Sequence, residues 1–226
     1  MEVLVVPVAH VSSGSAERVG AAIAGFAPDV VAVELDYGRF GALLENRGPG
    51  ALEVARHPLF GLLYLVQQLF GRRFDVAPGS EMLAAAREAG RAGIPVAFVD
   101  RPIGLTVARL NAIPAREKLS IALQALASPF VLLFGSAFGG KAFSPEALAG
   151  EALSSAAMAE FRRTLPNAYK ALVEERDRFI ASSVLGIRGE RVVLVVGAGH
   201  VGGLMGLFSG MRERGVRAAV APVGAS

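Results

Sequence analysis

Three histidines and no cysteine leave imidazole, carboxylate, guanidinium and hydroxyl groups as the material for any reaction centre in this chain. Thiolate zinc sites, disulfides and cysteine nucleophiles are excluded at once. Two of the histidines follow apolar runs. His10 comes after Val3–Ala9, and His200 comes after Arg191–Val196 and a glycine-rich step, Gly197-Ala198-Gly199. Glu34 ends the run Val30-Val31-Ala32-Val33, where a buried carboxylate is costly unless it is paired or coordinates a metal. Asp36 lies two residues on, and Asp100-Arg101 closes a further apolar run, Pro95–Val99. Arg176 shares helical spacing with Tyr169, Leu172, Val173 and Ile180, so its guanidinium lies on an apolar stripe. It must meet an acid such as Glu34 or Asp100, a substrate carboxylate or an oxyanion. The third histidine, His57, precedes Pro58 at the start of an apolar helix and reads as a surface or packing residue.

These groups act together only if the elements carry them to one place. The apolar runs are continuous rather than alternating, as expected for parallel strands covered on both faces. Strands are expected at Val3–Ala9, Val30–Leu35, Pro95–Val99, Arg191–Val196 and Val216–Ala221. Helices are expected over Ala16–Phe26, over Ser80–Ala92 with Ser80 as cap and Gly93 as stop, and over Asn167–Leu185 and Gly199–Arg214. Residues 103–165 read as a helical insertion, with Ser144-Pro145 as a cap and first-turn pair. The fold class is therefore α/β: a mostly parallel central sheet with flanking helices and a helical insertion, in one domain spanning 1–226. Ligands of such sheets bind outside the carboxyl ends of the strands. His10, Glu34, Asp36, Asp100, Arg101 and His200 all fall there.

Composition removes several function classes. A formal charge of +3 with no dense Lys/Arg run argues against a nucleic-acid partner. Leu119–Gly140 has no charged side chain, but Gln124, Pro129 and the glycines 135, 139 and 140 interrupt it. Two short buried or interfacial helices are expected there rather than a bilayer span. No secretory pattern follows Met1-Glu2, so the expected location is the cytoplasm, with peripheral membrane contact through Leu119–Phe138 as the alternative. Exposed apolar helices also make a homodimer an expectation. Gly197–Gly202 matches G-x-G-x-x-G, but the next strand ends at Ala221-Pro222 with no acid for a ribose. The glycines read instead as letting the backbone approach a ligand or metal closely.

Several motifs occur together and in order: Ala9–Ser12 (A-H-V-S), Pro28–Arg39 (P-D-V-V-A-V-E-L-D-x-x-R), Ser80–Met82 with Val99–Arg101, Glu175–Asp177, and Val195–Gly203 (V-V-G-A-G-H-V-G-G). The chain resembles the TraB/PrgY/GumN family through them, over nearly its whole length. That family includes bacterial proteins of conjugation-pheromone shutdown. It is related to the Tiki metalloproteases of membranes and, more widely, to erythromycin esterase and haem-binding ChaN types. The resemblance implies a divalent-metal hydrolytic site built on two G-x-x-H motifs and acidic residues. The second motif is Gly197–His200, the matching acids are Glu34 and Glu81, and the matching arginines are Arg39, Arg101 and Arg176. The first motif departs from the family's G-T-A-H and reads Pro7-Val8-Ala9-His10. Proline there removes a backbone donor and fixes φ.

The expected function is hydrolysis of a peptide or another amide or ester bond by a metallopeptidase-like centre. His10, His200 and Glu34 are the candidate ligands of manganese, cobalt or zinc. Glu34 and Glu81 divide the ligand and base roles in an order left open, and Arg176 would stabilise an oxyanion. Arg39, Arg101, Gly197 and Gly199 are the candidate substrate-binding residues, for a peptide or small molecule. The alternative is a protein that sequesters a peptide or haem without turnover, with the apolar segments 58–70 and 119–138 as its wall.

Overall fold

The two faces of the sheet are written in alternate residues. In β1 (Glu2–Val8), Val3 and Val5 join one buried cluster, while Val6 and Val8 join another. In β4 (Arg191–Gly197), Val192, Leu194 and Val196 face the first and Val193 and Val195 the second. Period-two alternation sends successive side chains to opposite faces. Both faces are apolar, so both must be covered.

The computed structural model describes residues 1–8, 15–45, 47–48, 54, 56–65, 79–134 and 151–221. Five strands, β1, β2 (Val30–Val33), β3 (Val96–Phe98), β4 and β5 (Arg217–Val220), form a sheet of order β3-β2-β4-β1-β5, with every pairing parallel. The fold is α/β, as expected. On one face lie α1 (Ser15–Phe26), through Val19 and Ile23, and α3 (Ser80–Arg91), through Met82, Ala85 and Ala89. Between β2 and α3 lies α2 (Tyr37–Leu44). After β3 come α4 (Ile103–Ala112), α5 (Ala115–Phe134) and α6 (Glu151–Thr164).

The opposite face is covered by α7 (166–185) and α8 (Ala198–Ser209), through Ile180, Ala181, Val184, Leu204 and Phe208. α7 is composite: Pro166–Tyr169 is α-helical, Lys170–Glu174 is a π-helical stretch, and Glu175–Leu185 is α-helical again. A third cluster joins α4, α5 and the start of α7 through Leu110, Ile121, Leu165 and Ala168. Buried Glu117 holds that start, accepting from the backbone N–H of Ala168 at 2.9 Å and of Asn167 at 3.1 Å. This is a carboxylate on the positive end of a helix.

Two local expectations are corrected. Ser80 does not cap α3; the cap is Gly79 at φ 85°, a left-handed conformation that favours glycine, and Ser80 is already helical. Gly93, at φ 69°, does stop that helix. The two short helices expected in 119–140 are one helix to Phe134, running through Pro129. Among the described residues, no helix is long and apolar enough to cross a membrane. The loop with His10 and the pair Ser144-Pro145 lie outside the described residues.

Pro7 sits inside a central strand, where a missing N–H would ordinarily break the ladder. The Val5 carbonyl accepts from Ala221, so Val5 and, two residues on, Pro7 turn their backbone polar groups toward β5. β5 ends at Val220, level with Val5. No β4 bond is lost.

Candidate functional site

β1 and β4 are adjacent, yet α1 follows the first onto one face and α8 follows the second onto the other. Their carboxyl ends therefore flank the switch point where open α/β sheets leave a crevice. Glu34, one residue beyond β2, continues the alternation of Ala32 and so points to the α7–α8 face.

A buried charge network fills that place. Arg176 Nη2 donates to Glu34 Oε1 and, at 2.6 Å, to Asp100 Oδ2; its Nε donates to Asp100 Oδ1 at 3.2 Å. Both acids left open as partners of Arg176 are in fact bonded to it. Arg39 bridges from the other side, with Nε on Asp36 Oδ2 at 2.7 Å and Nη2 on Asp100 Oδ2. Asp36 also caps α2, accepting from the N–H of Gly38 at 2.9 Å and of Arg39 at 3.1 Å. His200 enters from the first turn of α8. Its Nδ1 lies 2.6 Å from Asp177 Oδ1 and its Nε2 lies 3.2 Å from Glu34 Oε1 and 3.1 Å from Arg176 Nη1.

Electrostatics follow from this packing. Burial opposes charge on Glu34, but the charge and hydrogen bond of His200, with Arg176 and the Gly197 N–H, hold its carboxyl far below the usual range. Burial likewise opposes an imidazolium at 200; Glu34 and Asp177 outweigh it and push the pKa up to about 9. Arg176 is held charged by Glu34 and Asp100 against its own burial. Asp177 goes the other way, because burial lifts its carboxyl more than His200 lowers it. Arg176, 3.1 Å from Nε2 of His200, works against charge on that ring, and Glu34 and Asp177 outweigh it.

The glycine motif has a specific use. The Gly197 N–H, at the start of α8, donates to Glu34 Oε2 at 2.8 Å, so the protein's own carboxylate sits where a dinucleotide motif would hold phosphate. Gly199 lies against Met158 of α6. Arg101 is buried with its donors turned inward: Nε to Thr106 at 2.9 Å, Nη1 to Glu175 at 3.1 Å, and Nη2 to the Ala171 carbonyl in the π-helical stretch. Glu81 is buried in the first turn of α3, the helix that covers the opposite face of the sheet. His57 bonds Asn111 at 2.7 Å, a packing role.

A cleft of about 520 Å³ is lined by Tyr37, Phe98, Ile103 and Phe179 together with Asp36 and Asp100. Arg176 joins Asp100 to Glu34, so one guanidinium links the cleft lining to that carboxylate. Asp177 joins the site without being among the residues the sequence singles out; its place in E-R-D beside Arg176 is the signal that points to it. Among the described residues, no group of three His, Asp or Glu side chains is placed to hold a metal ion. His10, the expected further ligand, is outside them.

The TraB/PrgY/gumN family model matches residues 3–219. A protein of Methanocaldococcus jannaschii, described as uncharacterized, is 31% identical over 215 residues, which take in 90% of this chain and 52% of that protein. The chain spans about half the length of that relative.

Proposed function

The chain belongs to the TraB/PrgY/gumN family, and from that premise we propose that it is a divalent-metal-dependent hydrolase of peptide or other amide or ester bonds. The observation that carries the proposal is the aim of His200. With Nδ1 tied to Asp177 at 2.6 Å, Nε2 is the nitrogen presented to Glu34, 3.2 Å away. A histidine whose far nitrogen is bonded to a carboxylate is the common arrangement of metal-ligating imidazoles. The donor chemistry fits manganese, cobalt or zinc, with Nε2 of His200 and a Glu34 oxygen as two ligands and His10 as the third. Such an ion would lower the pKa of a bound water and polarise the scissile carbonyl.

The chain's own residues supply the rest. Arg176 is anchored on Asp100 through two nitrogens, so it stays beside the centre and can stabilise an oxyanion there. Glu34, accepting from Arg176 and the Gly197 N–H, is fixed as a carboxylate beside that centre. The cleft walled by Tyr37, Phe98 and Phe179 would receive an apolar substrate side chain.

The test is metal analysis of the purified protein after incubation with manganese, cobalt or zinc, beside H10A and H200A. Bound metal lost in both variants, together with cleavage of a peptide library, is the expected result. No metal in the wild type sinks the proposal. Metal bound through both histidines without cleavage would point to a sequestering protein instead.

A further inference from the structure

Asp177 touches His200 from α7, and the surface of α8 beside it is bare backbone. A Cβ built on Gly203 would stand 1.9 Å from Asp177 Oδ2 and 2.9 Å from its Cγ. Real Cβ atoms essentially never come closer than 3.0 Å to a neighbour. Gly203 is helical and has no positive φ, so backbone conformation does not demand glycine there. The requirement is space, and the carboxylate of Asp177 fills it.

We propose that Gly203 and Asp177 are positioning residues for His200: the missing side chain at 203 seats the Asp177 carboxylate on Nδ1, and that bond aims Nε2 at Glu34. The proposal rests on the reading of His200 as the reactive donor. Both are buried, Asp177 at 3% and His200 at 8% exposure. The ring has two nitrogens, and the one bonded to Asp177 fixes which way the other points. Without that bond, rotation about the side-chain torsions would let Nδ1 compete for Glu34. Gly202, next in the chain, has open space where its Cβ would be and so is the natural control.

The experiment uses the intact chain as wild type, D177A, D177N, G203A and G202A, each checked by thermal melting. In metal-free protein at pH 7, the His200 Nδ1–H should give an NMR signal protected from solvent exchange, assigned by its loss in H200Q. It should persist in G202A, disappear in D177A and G203A, and survive in part in D177N, whose amide oxygen still accepts. Cobalt affinity should fall about 10–100-fold in D177A and G203A and stay unchanged in G202A. A protected signal of wild-type shift in D177A or G203A, or cobalt affinity in G203A equal to that in G202A, overturns the proposal. Should G203A not fold, the D177A and D177N pair carries the test alone. A wild type that binds no cobalt refutes the hydrolase reading, while the NMR comparison still decides the positioning.

Discussion

Replacing Arg176 by methionine removes the cation that, among the described residues, bridges Glu34 and Asp100, and leaves a side chain of similar reach. Both carboxylates are deep, with side-chain exposures of 9% and 2%, and Arg176 itself is 15% exposed. Removing one partner of a buried pair costs about 3–5 kcal/mol, because the other charge stays behind uncompensated. Here the low end applies. Asp100 keeps Arg39 and the N–H of Arg101, and Glu34 keeps the Gly197 N–H and His200. A loss of about 3 kcal/mol corresponds to a drop in Tm of roughly 6–12 °C for a chain of this size. Urea unfolding of R176M, E34Q and the double variant reads it directly. Glu34 and Arg176 are in contact, so the double variant should recover about 0.5–3 kcal/mol relative to the sum of the single costs. A single-variant loss below about 1 kcal/mol, or strict additivity, would refute the view that Arg176 and Glu34 form a coupled buried pair.

Three further outcomes follow, one from the same network and two from Glu117 at the start of α7. The folded pKa of His200, about 9, lies above its ordinary 6.5. Its stabilisation is therefore complete below pH 6.5 and fades as pH rises through 9. Urea midpoints of chelator-treated protein should fall between pH 6 and pH 10, and H200Q should flatten that slope; an equal slope in both would count against it. E117A should cost about 1–2 kcal/mol by uncapping the start of α7, with E117Q milder, measured as a shifted urea midpoint at constant slope. Since its neighbours hold Glu117 below the usual carboxylate range despite burial, the wild-type advantage over E117A should shrink as pH drops under 4.5.

The sheet was readable because five valine-rich runs sit in a chain with few alternatives for burying them, and each strand found differs from its expected limits only at the ends. Glu34 and Arg176 were readable for a related reason. A charge in an apolar run must find a partner, and only a few partners existed. What could not be read was set by backbone detail. Nothing in Lys170–Glu174 announces a π-helical stretch, yet that stretch offers the Ala171 carbonyl to Arg101 and so turns that guanidinium inward. Gly203 looked like one more small residue in a glycine-rich helix; its meaning needs Asp177 packed against it from another helix. The start of α3 falls where the sequence expects it, but a left-handed Gly79 replaces the side-chain cap that Ser80 suggests.

A π-helical turn holds more residues than an α-helical one, so Lys170–Glu174 works as a phase shifter within α7. Before it, Leu165 and Ala168 are in phase with α4 and α5; after it, Ile180, Ala181 and Val184 are in phase with the sheet, and Arg176 and Asp177 with the site. Each residue of a helix advances it by about 100°. Deleting a single residue from this stretch would rotate one half of α7 against the other by that angle. The helix could then serve its packing cluster or the charged network, and not both. Chain length at this point, more than the identity of any residue in it, is what keeps the two in register.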